Sequence, residues 1–330
     1  MSQLHDSFGR QVTYLRLSVT DRCDLRCSYC MAENMTFLPK KELLTIEELY
    51  RVAATFAELG IRKIRITGGE PLMRRGIIDL FAMLRPHIGN DLDEVTLTTN
   101  GTLLEKYADD LMANGVKRIN VSLDTLNPEH YTRLTRRGKI DNVLRGLEVA
   151  LAAGIHVKIN AVAMKGVFEY EIDDLIRFTH GLGMDLTLIE EMPLGATGHD
   201  RHDTHLSLSQ LRQELAKRWT LTPMNKTSGG PAHYIKIEET GGILGFITPL
   251  SCNFCANCNR VRVSSTGQLY PCMGHMGRVE LREALRSGES NLPLMTKIHQ
   301  AIEAKPERHE FLISQHQTQG IPRHMSELGG

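Results

Sequence analysis

Between Thr13 and about Glu191, short apolar stretches alternate with segments of helical periodicity. Six stretches read as strands: TYLRLSV, RKIRIT, EVTLTT, KRINVSL, HVKINAV and DLTLIE. Strands that alternate with amphipathic helices predict a parallel sheet made from right-handed crossover units. The first helix is well marked, because Thr45 and Glu48 form a capping box, Leu49, Val52, Phe56 and Leu59 make one face, and Gly60 ends it. Alternate side chains of a strand point to opposite faces. One parity is apolar in five of these strands, with Leu15 and Leu17, Ile64 and Ile66, Val95 and Leu97, Ile119 and Val121, and Val157 and Ile159 placed to meet the covering helices. The other parity is polar: Arg16 and Ser18, Arg65 and Thr67, Thr96 and Thr98, Asn120 and Ser122, Lys158 and Asn160. A merely packed barrel interior favours branched apolar residues, so a polar lining implies a polar guest. The alternative, an open sheet with one solvated face, fits poorly with parallel topology, where both faces are normally covered.

After MPLG the pattern breaks into GHDRHDTH, a polar, histidine-rich stretch without compact metal-ligand spacing. It reads as a solvated join between a domain of residues 1–198 and a smaller one of residues 199–330. A helix begun by Ser207 or Ser209 follows, and then a strand pair, YIKIE and ILGFIT, turning at Thr240, Gly241 and Gly242. A chain of 330 residues accommodates one large or two unequal domains. Its 39 basic and 39 acidic side chains give no net charge. No overall field therefore draws it to nucleic acid or an anionic membrane, and any anionic ligand must be met by local charge. The opening MSQLHDSFGR is polar and no later run is long enough to span a bilayer, so the expected location is cytoplasmic. Seven cysteines at two loci suit metal ligation in a reducing compartment better than a disulfide framework.

The first locus, VTDRCDLRCSYC, places Cys23, Cys27 and Cys30 in a C-x3-C-x2-C array just past the first strand. A structural zinc site usually takes four protein ligands, whereas three thiolates on a cubane iron–sulfur cluster leave one iron open to a substrate or cofactor. A disulfide with a free thiol, or zinc completed from a distance, remain the alternatives. Farther on, IRITGGEPLMRR sets Gly68, Gly69, Glu70 and Pro71 directly after an apolar strand. Glycines there let backbone approach a ligand closely, and Glu70 can accept from an ammonium group. Together the two motifs resemble the radical S-adenosylmethionine (SAM) superfamily. That resemblance implies an incomplete, six-stranded TIM-like barrel with its site at the strand C-terminal ends. It also implies SAM chelated by the open iron and reductively cleaved to a 5'-deoxyadenosyl radical.

The second locus, SCNFCANCNRVRVSSTGQLYPC, gives Cys255, Cys258 and Cys272 in a C-x2-C-x13-C array, with Cys252 nearby. Four cysteines would complete a closed zinc site, and the spacing leaves that choice open. Followed at once by Asn259, Arg260, Val261 and Arg262, and with a terminal Gly329-Gly330, the array resembles the GTP 3',8-cyclase family, which begins molybdenum cofactor synthesis. The likeness runs from YLRLSVTDRC to HMSELGG. It implies an α+β C-terminal domain around a second [4Fe-4S] cluster that also lacks a fourth protein ligand and binds the guanine end of GTP, with Cys252 a bystander. Arg260 and Arg262 lie two apart on an expected strand, so both guanidinium groups face one way and suit phosphate oxygens. Arg16, Arg65 and Lys158 converge on the same guest from the polar parity of the barrel strands. By resemblance, Tyr29, Gly69, Ser122 and Met192 contact SAM, with Glu70 on its amino group. Thr98 and Asn160 line the central cavity, and the glycine tail threads towards the active site. The family also implies GTP as substrate, a reducing partner, and a downstream cyclic pyranopterin monophosphate synthase; a homodimer is left open. One departure is Thr187, where many members carry arginine before the Phe-Ile-Glu of the sixth strand. Another radical SAM enzyme acting on a peptide, or a zinc-binding module, are the competing readings.

Overall fold

The computed structural model describes residues 3–166, 168–195, 201–251, 254–311, 321 and 323–329. Twelve strands form one sheet: β1 Tyr14–Ser18, β2 Lys63–Thr67, β3 Glu94–Thr99, β4 Arg118–Ser122, β5 His156–Ala163, β6 Asp185–Glu190, β7 Leu221–Pro223, β8 His233–Ile237, β9 Ile243–Ile247, β10 Arg260–Val263, β11 Gln268–Tyr270 and β12 Val279–Glu280. Their order is β12-β11-β10-β1-β2-β3-β4-β5-β6-β9-β8-β7. The six expected strands are all present and pair in parallel, β1 to β6 in chain order. Sequence reasoning missed how the C-terminal strands join them. β10 extends the sheet in parallel beyond β1, and β9 does so beyond β6. The antiparallel strands β11–β12 and β8–β7 then complete the two flanks.

The sheet curls into an incomplete barrel. Asn259, just before β10, donates through its side chain to the carbonyl of Gly229 in the β7–β8 loop, so segments from opposite flanks meet. The apolar parity packs under the covering helices: Leu15, Leu17, Ile64, Ile66, Leu97, Ile119, Val121, Val157 and Ile159 are wholly buried in one continuous core. The Thr240–Gly242 turn forms the expected β8–β9 hairpin, with Gly241 in the left-handed region at φ +67°. The helix Leu208–Leu215 starts at Ser207, whose hydroxyl accepts from the Gln210 amide. Residues 196–200, which include the start of the histidine-rich join, lie outside the described residues, as does Cys252. Among the described residues, no helix is long and apolar enough to cross a membrane.

The helix Ile46–Glu58 carries the expected capping box: Thr45 accepts from the Glu48 amide, and the Glu48 carboxylate accepts from the Thr45 amide at 2.8 Å. Arg286 grips the same carboxylate and so ties this helix to the C-terminal segment. Thr45→Ala is expected to lower global stability by about 1 kcal/mol. A urea unfolding midpoint equal to wild type would refute that.

Candidate active site

The first cysteine loop lies against the glycine turn that follows β2. The amides of Gly69 and Glu70 donate to the carbonyls of Thr20 and Arg22 at 2.8 and 2.7 Å. A Cβ on Gly69 would come within 2.2 Å of the Arg22 carbonyl oxygen, so only glycine permits this close approach. The two motifs, forty residues apart in the chain, are thus one structural unit. Cys23, Cys27 and Cys30 line a cavity at the C-terminal ends of the barrel strands, with Tyr29, Gly69, Thr98, Ser122, Asn160 and Met192. The expected SAM contacts are therefore brought together, with Glu70 differently placed. Glu70 is wholly buried beside the cavity, its carboxylate accepting from Leu72 N, Thr99 Oγ1 and Asn100 N at 3.0, 2.8 and 2.7 Å. Three of about four lone-pair sites on a carboxylate are thereby engaged. Its first role is to brace the loop after β3. Burial pushes the Glu70 carboxyl up to about 7 against these donors.

Sequence reasoning missed two residues beside the cysteines. Asp124 accepts from the Tyr29 hydroxyl at 2.7 Å and lines the cavity. Asn100 lies 3.7 Å from Cys23 Sγ and donates to Asp24. Each follows the C-terminal end of a barrel strand, the position where this architecture concentrates its chemistry, and that was the available signal.

A second cavity is lined by Cys255, Cys258 and Cys272 together with Arg260, Arg262, Tyr270 and Phe254. The six described cysteines are free thiols. Among the described residues, no three His, Cys, Asp or Glu side chains converge as ligands of a single metal ion. Each cysteine trio instead surrounds a space, which suits a polynuclear centre better than one zinc ion. Burial, with Asp24 and Glu70 nearby, pushes the Cys23 thiol far up, and burial does the same to Cys27. A positively charged iron–sulfur core would relieve this by accepting the thiolates directly. At Cys258, burial is outweighed by Arg260, Lys305 and Arg10, which hold the thiol down to about 7.

Between the two cavities lies the cationic interior. Register places Arg262, Arg16 and Arg65 side by side on β10, β1 and β2, and pairs Tyr14 with Arg260 and Lys63. Arg65 donates to Tyr14 and, at 3.1 Å, to Thr98. Lys158 donates to the Tyr234 hydroxyl at 3.2 Å. Asn160 accepts weakly from Asn120 at 3.4 Å. Lys63, also missed, shares the parity of Arg65. Its ammonium lies over the Tyr14 ring, 2.8 Å from Glu94. Burial pushes the Tyr14 phenol up, but Arg65, Arg16, Lys63 and Arg260 outweigh it and hold it down to about 7. Burial, with Arg262 alongside, disfavours the Arg16 charge. Among the described residues, the buried Arg16 Nη2 has no hydrogen-bond partner. An interior that crowds cations and leaves a donor orphaned favours an anion.

The C-terminal tail enters the same interior. The Gly329 carbonyl accepts from Arg262 at 2.7 Å and from Arg16 at 3.1 Å, and Leu328 is wholly buried. Gly330 lies outside the described residues. At the departure noted above, Thr187 is buried beside Gly245, its hydroxyl without a partner among the described residues. The Tyr234 ring occupies the space a side chain on Gly245 would take.

With this geometry in place, the comparisons with known proteins decide the family. Residues 17–179 match the Radical SAM superfamily and residues 184–311 match Molybdenum Cofactor Synthesis C. The chain is 56% identical to a GTP 3',8-cyclase of Rhizobium etli, across 98% of this chain and 94% of that one. It is 55% identical to one of Erythrobacter litoralis, across 100% and 99%. The chain belongs to the GTP 3',8-cyclase family. Among solved structures, Streptococcus suis SuiB bound to S-adenosylmethionine matches with a TM-score of 0.61 at 19% identity, over 81% of this chain. SuiB bound to its precursor peptide matches with a TM-score of 0.64 at 17% identity, over 90%. The chain spans 62% and 65% of those two SuiB chains, and at such identities the likeness shows the shared radical SAM fold alone. Family membership carries with it radical SAM enzymology with SAM and iron–sulfur clusters.

Proposed function

We propose that this enzyme converts GTP into (8S)-3',8-cyclo-7,8-dihydroguanosine 5'-triphosphate, the first step of molybdenum cofactor biosynthesis. The observation that carries the reading is the row of arginines between two cysteine-lined cavities at opposite ends of one interior. A peptide substrate would give no reason to concentrate Arg16, Arg65, Lys63, Lys158, Arg260 and Arg262 there. A triphosphate does. Residues 1–198 would form the barrel and residues 199–330 the unit carrying the second cluster and the tail.

Cys23, Cys27 and Cys30 would hold the first [4Fe-4S] cluster, and Cys255, Cys258 and Cys272 the second. When bound, the first supplies, with SAM, a 5'-deoxyadenosyl radical able to remove the 3' hydrogen of the ribose. This chain's own residues position the reactants. Gly69 holds the cysteine loop tight against the β2 turn and presents its backbone to the SAM cavity. Tyr29, Ser122 and Met192 bound the SAM site, and Glu70, buried beside the cavity, would meet the SAM amino group only through the lone pair its three donors leave over. Arg260, Arg262 and Arg16 fix the triphosphate, Arg65 and Lys158 extend that grip, and Thr98 and Asn160 border the ribose. The second cavity would receive the guanine. Gly329 keeps the tail slender enough to lie between the arginines and the sugar, and the same role is proposed for Gly330, which lies outside the described residues. Holding C3' beside guanine C8 converts ring closure into a positional problem that the protein solves in advance. A reducing partner, a downstream cyclic pyranopterin monophosphate synthase and a homodimer complete the proposal.

Anaerobic reconstitution with iron and sulfide, then incubation with SAM, dithionite and GTP, tests the reading. Formation of 5'-deoxyadenosine together with a product isobaric with GTP supports it. Cleavage of SAM with GTP returned unchanged would leave the superfamily and remove the substrate.

Burial, with Arg65, Arg118 and Lys63 adding repulsion, pushes the Lys158 ammonium down to about 7. A bound triphosphate favours the charged form and raises that value, so binding above pH 7 draws a proton into the site. Tyr14 titrates in the same range and in the same sense. GTP affinity is therefore expected to weaken as pH rises above 7. At pH 8, calorimetry in buffers of different ionisation enthalpy should register proton uptake on binding, reduced in Lys158→Met. Binding without proton exchange at that pH would contradict the assignment.

A further inference from the structure

Lys305 follows the helix Leu292–Glu303 and is only 2% exposed. Its ammonium donates to the Pro271 carbonyl at 2.7 Å and to the Arg260 carbonyl at 2.9 Å, and it lies 3.6 Å from Cys258 Sγ. These contacts use its three donors, and none goes to a carboxylate. Arg10 and Lys63, near the same cavities, have carboxylate partners, Asp6 at 2.6 Å and Glu94 at 2.8 Å, whereas Arg16, Arg262 and Lys158 bond only carbonyls or a hydroxyl and are the cations assigned to the triphosphate. An ammonium buried without a counter-ion costs several kcal/mol. Placed among two carbonyls and a cysteine sulfur, Lys305 looks for its opposite charge in whatever the cysteines hold.

The same three contacts bridge both limbs of the second cysteine array. Arg260 stands two residues after Cys258, and Pro271 stands immediately before Cys272. Lys305 lines neither cysteine cavity, so it has no place among the substrate contacts. An iron–sulfur cluster held by three thiolates is anionic and gains a further negative charge when reduced. A cation within hydrogen-bond reach of a ligand sulfur stabilises the reduced form more than the oxidised one.

We propose that Lys305 is the resident counter-charge of the second cluster, positioning its two cysteine limbs and holding its reduction potential up, without touching GTP. This rests on the reading that Cys255, Cys258 and Cys272 hold an iron–sulfur cluster. Potentiometric titration of the reconstituted enzyme without GTP, followed by electron paramagnetic resonance, tests it in wild type and in Lys305→Met, Lys305→Gln and Lys305→Arg. In the neutral variants, the reduced fraction of the second cluster at a fixed poise should fall about tenfold, a downward shift of about 59 mV for a one-electron couple. The first cluster should titrate unchanged, and Lys305→Arg should stay near wild type. If the neutral variants lose the second cluster while Lys305→Arg keeps it, the charge is again the property required. Loss in all three variants would mark a packing role, and retention with an unmoved potential would mark no electrostatic role; either overturns the proposal. A wild-type chain with a single cluster would overturn the parent reading together with this one.

Discussion

Gly329→Ala is expected to lower cyclisation of GTP by about 10²-fold or more, the loss that a displacement of roughly 1 Å near reacting groups can produce. Gly329 adopts φ +70°, which costs a side-chain-bearing residue roughly 1–2 kcal/mol. The larger obstacle is steric. A Cβ there would lie 1.7 Å from Thr67 Oγ1 and 2.7 Å from Thr67 Cβ, at the buried C-terminal end of β2. The tail cannot remain in place, and when it moves, Arg262 and Arg16 lose the Gly329 carbonyl they share. Both arginines then relax away from the positions that would meet a triphosphate. The assay is product formation by mass spectrometry beside 5'-deoxyadenosine release. Adding Thr67→Ala removes the nearest atom but leaves the Cβ contact and the backbone strain, so rescue should be partial. Wild-type turnover in Gly329→Ala would show that the tail is not part of the site.

Much of this arrangement is legible in the chain because strand parity carries it. Arg16, Arg65, Thr98, Lys158 and Asn160 share a parity opposite to Leu15, Ile64, Leu97, Val157 and Ile159, and the sheet places them as that alternation requires. The capping box at Thr45 and Glu48 is equally local, and so is readable. What could not be read was pairing between distant segments. Nothing in RVRV says that β10 lies beside β1, yet that single register creates the Arg262–Arg16–Arg65 row. The bracing contacts of Glu70 escape the sequence for a related reason. Its motif is local, but two of the three donors that hold its carboxylate come from elsewhere, Thr99 at the end of β3 and Asn100 just after it. Lys305 lies 33 residues beyond Cys272 and belongs to neither cysteine motif, so only the folded chain brings it to Cys258.

Arg260→Ala is expected to separate two activities that wild type couples. Arg260 stands on the wall of the second cavity and of the adjoining groove formed by Lys226, Gly229, Gly230 and His233. Its guanidinium stacks on Phe254 at 4.8 Å, which fixes the plane of its donors without consuming them. Arg262 and Arg16 are partly engaged by the tail carbonyls, so Arg260, two residues before Arg262 on the same parity of β10, keeps more donor capacity than either for phosphate oxygens. Removing it should cost about 10²- to 10³-fold in kcat/KM for cyclisation, or about 3–4 kcal/mol of transition-state stabilisation. SAM cleavage depends on residues at the other end of the interior and should continue, so that 5'-deoxyadenosine accumulates in excess of product. Arg260→Lys should restore only part of the loss, since an ammonium supplies the charge but neither the planar fork nor the same stack on Phe254. If Arg260→Ala cyclised GTP at the wild-type rate, the triphosphate would have to lie elsewhere. If it lost SAM cleavage as steeply as cyclisation, Arg260 would act on the whole interior rather than on the substrate's alignment.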